Sequence, residues 1–65
     1  MTGILHTLGD RTVMILIDGL PISVPLADQV AIIRNGSIVR ASDLTRGDEV
    51  TLFGNPVQRI TANSG

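Results

Sequence analysis

Val13-Met14-Ile15-Leu16-Ile17-Asp18-Gly19-Leu20-Pro21-Ile22-Ser23-Val24 decides the fold of this chain. Asp18-Gly19 stands between two apolar runs, and both residues tolerate the positive φ that a type I′ turn demands. A two-residue loop fixes the register of the strands it joins, so Ile17 faces Leu20, Ile15 faces Ile22 and Val13 faces Val24. All three pairs are apolar and share one face. The same register turns the missing N–H groups of Pro21 and Pro25 away from the partner strand. The segment 20–26 is therefore a sheet edge, or leaves the sheet, and cannot be central.

The same grammar extends in both directions. Asn35-Gly36 predicts a second tight hairpin, pairing Ile33 with Ile38 and Ile32 with Val39. Val, Ile and Thr number 6, 8 and 6, the β-branched class that suits a pleated, half-buried surface. Helical periodicity is nowhere sustained, and Gly, Asn-Gly, Asp-Gly and Asn-Pro punctuate the chain at strand-length intervals. Strands are predicted near 2–8, 11–17, 20–26, 30–34, 37–41, 49–53 and 57–62. Between the fifth and sixth of these, Ser42 or Asp43 can cap a 3₁₀-like turn, Leu44 is the one apolar anchor, and Gly47 supplies a left-handed exit. The last hairpin turns through Gly54-Asn55-Pro56, which is not a two-residue loop, so a bulge is expected there. The fold class is all-β: a small barrel or rolled antiparallel sheet of five to seven short strands, forming one domain over residues 1–65, with excision from a longer protein left open.

Composition bounds the function. The 65 residues are 43% apolar, with five Arg, six acids, no Lys, no Cys and one aromatic residue, Phe53. A core this small is near the lower limit for standing alone. Without Cys there is no disulfide framework or thiolate metal site. A formal charge of −1 is unlike the basic face that phosphate contacts demand. The longest apolar run, Val13 to Ile17, is far short of the roughly 20 residues of a spanning helix. Met1 to His6 has neither the basic segment nor the long apolar stretch of a signal peptide, and these features assign no compartment.

Catalytic chemistry finds no constellation. His6 is the only histidine and has no second His or Cys with which to hold zinc, so it reads as a strand residue with ordinary hydrogen bonds. Asp10 and Asp18 lie in turn contexts, and Asp48 and Glu49 are adjacent, so in a strand they point to opposite faces. None of Ser23, Ser37, Ser42 or Ser64 sits in a Gly-x-Ser-x-Gly elbow, and the seven glycines form no phosphate loop. Neither an enzyme nor a cofactor or metal site is expected. Arg46-Gly47-Asp48 spells an integrin-binding tripeptide, yet each residue has a local reason to be there, with Gly47 turning the chain and Asp48 opening a strand. Nucleic-acid binding would use Arg34, Arg40, Arg46 and Arg59, but it wants aromatic platforms beside them, and Phe53 reads as core.

The informative feature is apolar excess. Met14 and Leu16 alternate with Val13, Ile15 and Ile17, and Ile32-Ile33 faces Ile38-Val39, so two segments are apolar on both faces. One small sheet buries one face only, unless a second layer covers the other. Met14, Leu16, Ile33 and Ile38 are therefore the candidate association surface, and the expected partner is another copy or a neighbouring domain.

From Leu20 onward the order of elements is familiar, and VAIIRNGSIVRASDLTRGDEVTLFGNPVQRITA is similar to a repeat of bacterial exported, cell-surface and S-layer-associated proteins. The matching residues are Asn35, Gly36, Ser42, Asp43, Leu44, Gly47, Asp48, Val50, Val57 and Ile60, and GILHTLGDRTVMILIDG before them suits the pattern's opening strands. The resemblance implies a small OB- or SH3-like barrel used as a non-catalytic structural or interaction module. It carries over no functional residue. The competing expectation is an OB- or SH3-like nucleic-acid-binding domain.

Overall fold

In the computed structural model, which describes residues 1–64, both tight hairpins form in the predicted registers. Asp18 and Gly19 have φ of 53° and 78°, and Asn35 and Gly36 have 51° and 85°. Ile17 pairs with Leu20, Ile15 with Ile22 and Val13 with Val24. Ile33 pairs with Ile38, and the Val39 N–H donates to the Ile32 carbonyl at 2.9 Å. The strands are β1 (Thr2–Leu8), β2 (Thr12–Ile17), β3 (Leu20–Arg34), β4 (Ser37–Ile38), β5 (Glu49–Phe53) and β6 (Val57–Asn63), with one 3₁₀ turn at Ala41–Asp43.

The expected strands 20–26 and 30–34 are one 15-residue strand, β3, that serves two partners in turn. Its first half pairs with β2, Thr12 facing Pro25 and Leu16 facing Pro21. Both prolines stand at positions whose nitrogen points away from β2, and no ladder runs along that far side, as the sequence requires. Its second half pairs with β6 in parallel, the one ladder that departs from an antiparallel roll. Between Leu26 and Ala31 the register slips, because four residues of β3 stand where β6 supplies one. The predicted strand 37–41 shortens to two residues, since Ala41 begins the 3₁₀ turn.

The sheet order is β2-β1-β5-β6-β3-β4, and the β2–β3 hairpin joins its two sides into a ring. The ring is a rolled sheet, less regular than a closed barrel. The bulge expected in the last hairpin is absent: Phe53 to Glu49 pair with Arg59 to Asn63 without a slip, the irregular residues being confined to the turn. A bulge falls instead in β1 between Leu5 and Thr7 and leaves His6 as the extra residue. Gly3 has a reason of its own. A Cβ there would meet the Leu16 carbonyl oxygen at 2.7 Å, so β1 crosses β2 this closely only without a side chain.

The inside of the roll takes Leu5, Val13, Ile15, Ile32, Val50, Leu52, Val57, Ile60 and Ala62. Leu44 packs against this cluster, as an anchor should. Ile60 is fully buried and meets both ladders of β6. Ile60→Ala should cost about 2–5 kcal/mol. A 65-residue chain holds about 3–10 kcal/mol in all, so urea titration followed by circular dichroism should show a midpoint shifted well below that of the wild-type chain. A loss under about 1 kcal/mol would show that the core is not the cluster described.

Candidate association surface

The buried side chains fix which residues face outward. Val13 and Ile15 point in, so Met14 and Leu16 point out, and Leu16 stands opposite Ile4 on β1. Ile32 points in, so Ile33 points out, opposite Ile38 on β4. Each pair is a cross-strand apolar contact on the outer wall. Ile38 is 86% exposed and Ile4 39%, while Met14, Leu16 and Ile33 are half-buried by their neighbours. The four candidate residues form two groups. Met14 and Leu16 lie on β2, Ile33 and Ile38 lie on β3 and β4, and one way round the ring β1, β5 and β6 lie between them.

The outer wall between them is ordered by register. Thr2, Thr51 and Thr61 lie in one row across β1, β5 and β6, and the row continues into Ile33 and Ile38. The Thr2 and Thr51 hydroxyls are 3.1 Å apart. Beside this row, Phe53 faces Arg59, and the Arg59 guanidinium carbon stands 4.4 Å above the ring centroid. Phe53, read from the sequence as core, is instead 39% exposed on the outer face. It alternates with Leu52, whose inward position is already fixed. Arg59 covers the ring from above, a cation–π contact.

The four arginines make separate contacts. The Arg34 Nε donates to Asp48 Oδ2 at 2.9 Å, and its second nitrogen reaches Oδ1 at 3.4 Å. Arg46 meets His6 Nε2 at 2.8 Å, while His6 Nδ1 lies 2.8 Å from the Thr7 hydroxyl. Arg40 precedes the 3₁₀ turn, where its N–H donates to the Asp43 carboxylate at 3.0 Å. Arg59 stacks on Phe53. Arg34, Arg46 and Arg59 thus each direct the guanidinium to a different partner. An open cleft of about 470 Å³ lies where β3 bulges, with Ile32 and Ile60 at its base and Asp10, Asp28 and Arg40 among its walls. Among the described residues no group of three or more His, Cys, Asp or Glu could hold a metal ion.

Asp48 answers the tripeptide question. It is 4% exposed, and its carboxylate is occupied by Arg34 and by the Thr45 N–H at 3.1 Å. A receptor that reads an Arg-Gly-Asp loop needs that carboxylate free, so the tripeptide is not displayed. Its neighbour Glu49 is exposed on the opposite face, as adjacency in a strand dictates.

Hydrogen bonding and the charge of Arg34 hold the Asp48 carboxyl below its ordinary value, against some desolvation, and the same hydrogen bond raises Arg34. A carboxyl depressed by folding stabilises the fold above its unfolded pKa, and that contribution disappears as pH falls through the folded value. Thermal unfolding should therefore lose stability as pH drops from about 4 downward. In Asp48→Asn the midpoint should be lower at pH 7, its acid limb flatter, and the difference from wild type should shrink toward pH 2; parallel curves would show that Asp48 is not the group responsible. Comparison of the chain with protein-family models, with curated proteins and with solved structures finds no match.

Proposed function

We propose that this chain is a non-catalytic β module that packs against another protein surface, a second copy or a neighbouring domain. The observation that carries the reading is the pair of outward apolar contacts, Ile4 with Leu16 and Ile33 with Ile38, displayed on a sheet that is one layer thick. Leaving such side chains in water forgoes burial worth roughly 25 cal/mol per Å² of apolar surface. The resemblance to repeats of bacterial cell-surface and exported proteins supports the same reading, since those repeats look like small non-catalytic barrels. A rolled ring closed by one parallel ladder suits a partly open barrel of the OB type.

The competing reading as a nucleic-acid-binding domain draws on Arg34, Arg40, Arg46 and Arg59. Phe53 offers one stacking face, but Arg59 already covers it, and Arg34 is held by a buried carboxylate. Fluorescence anisotropy with a labelled oligonucleotide at low salt should show no saturable binding; tight, salt-sensitive binding favours that class over ours.

Sedimentation velocity at micromolar concentration should show a dimer or larger, and a monomer persisting at millimolar concentration would contradict self-association. Leu16→Lys should weaken the assembly while changing protomer stability by about 1 kcal/mol or less, because Leu16 lies outside the core. If Leu16→Lys instead unfolds the chain, Leu16 belongs to the interior and the reading fails.

A further inference from the structure

The outer face of β1, β5 and β6 carries a charge pattern that is complementary to itself. Thr2, Thr51 and Thr61 form its midline. Glu49 lies two residues to one side of Thr51, opposite Asn63, and the Phe53–Arg59 pair lies two residues to the other side. Each is thus about 7 Å from the midline along the strand. Glu49 and Arg59 are both exposed, and neither has an ion-pair partner among the described residues. The acid and the base are too far apart along the face to meet within one copy.

A two-fold axis laid along the threonine row, between two stacked sheets, sets each strand against its own copy running the other way. That operation carries Glu49 of one copy to the level of Phe53 and Arg59 of the other, and symmetry repeats the contact. Two unpaired acids then meet two unpaired bases, and no like charges face each other. Threonines on the midline are short enough for the roughly 10 Å spacing of packed sheets. Ile4, beside Glu49, and Phe53 give the face apolar contact on either side of the row. Its margins run into Leu16 at one edge and into Ile33 and Ile38 at the other. A standard interface takes about 800 Å² from each partner, about a fifth of the 4286 Å² this chain exposes.

The geometry points to a second copy of this chain as the occupant of that face, in a two-fold dimer held by reciprocal Glu49–Arg59 pairs across the threonine row. This rests on the association reading above and narrows it to one partner and one surface.

Charge reversal tests it. Glu49→Arg and Arg59→Glu each place like charges across the axis at both contacts, so each variant alone should dimerise about tenfold more weakly or worse in sedimentation velocity. An equimolar mixture of the two should regain dimers, because each heterodimer restores both opposite-charge contacts. The doubly reversed chain should regain them as well, which guards against a single variant that folds poorly. Wild-type dimers left unchanged by both single reversals overturn this interface and leave the broader association reading standing. Loss in the single variants with no recovery in the mixture or the doubly reversed chain overturns the charge pairing. A wild-type chain that stays monomeric at millimolar concentration overturns both the dimer and self-association.

Discussion

Asp48 ties together parts of the chain that lie far apart in sequence. Its carboxylate takes Arg34 from the end of β3 and the Thr45 N–H from the connecting loop. Its own N–H donates to the Thr45 carbonyl, and its carbonyl accepts from the Leu5 N–H of β1. Gly47 donates to the Leu5 carbonyl, which it can reach because its φ of 97° turns the chain back. A buried carboxylate without partners would be costly; here every oxygen is bonded, and no buried side-chain polar atom among the described residues lacks a partner. The result is a fixed start for β5, placed between β1 and β6. The order of the ring depends on it.

The second constraint is the bend of β3. A strand that pairs first with β2 and then with β6 must change direction, and the slip between Leu26 and Ala31, where β3 has four residues against one of β6, is where it does so. Pro21 and Pro25 prevent the first half from accepting a second neighbour. The ring therefore closes through one strand used twice, which is an economical way for 65 residues to enclose a core. The cleft above Ile32 and Ile60 lies at this slip, with Leu26, Ala27, Asp28 and Val30 among its walls.

Much of this was legible because tight turns are local. Asp18-Gly19 and Asn35-Gly36 set their registers within a few residues, and both hold. The left-handed turn at Gly47 and the packing of Leu44 were equally local readings. What the sequence could not show is long-range. The parallel ladder between β3 and β6 links residues about thirty positions apart, and no turn encodes it. Phe53 reads as core from the sequence, but its side is set by Leu52, which points inward beside Ile60. The partner of Arg34 was hidden for the same reason, because Asp48 is fourteen residues away and reaches it only through the fold.

Strand parity links the core to the outer wall. Val50 and Leu52 are inside, so Glu49, Thr51 and Phe53 are outside, and the β5–β6 register then places Asn63, Thr61 and Arg59 beside them. A slip of one residue in β5 would bury Glu49 and Thr51 and expose Val50 and Leu52, at the cost of the core. The outward pattern is thus specified as strongly as the interior, although solvent alone would leave it free to vary. In a thicker domain a second layer would cover such a face. This chain has one layer, so the apolar side chains that parity assigns outward are covered only by their neighbours on the same face, and Ile4 and Ile38 stay exposed. Ile4, Leu16, Ile33 and Ile38 are outward for that reason, and their direction follows from the same alternation that makes the roll possible.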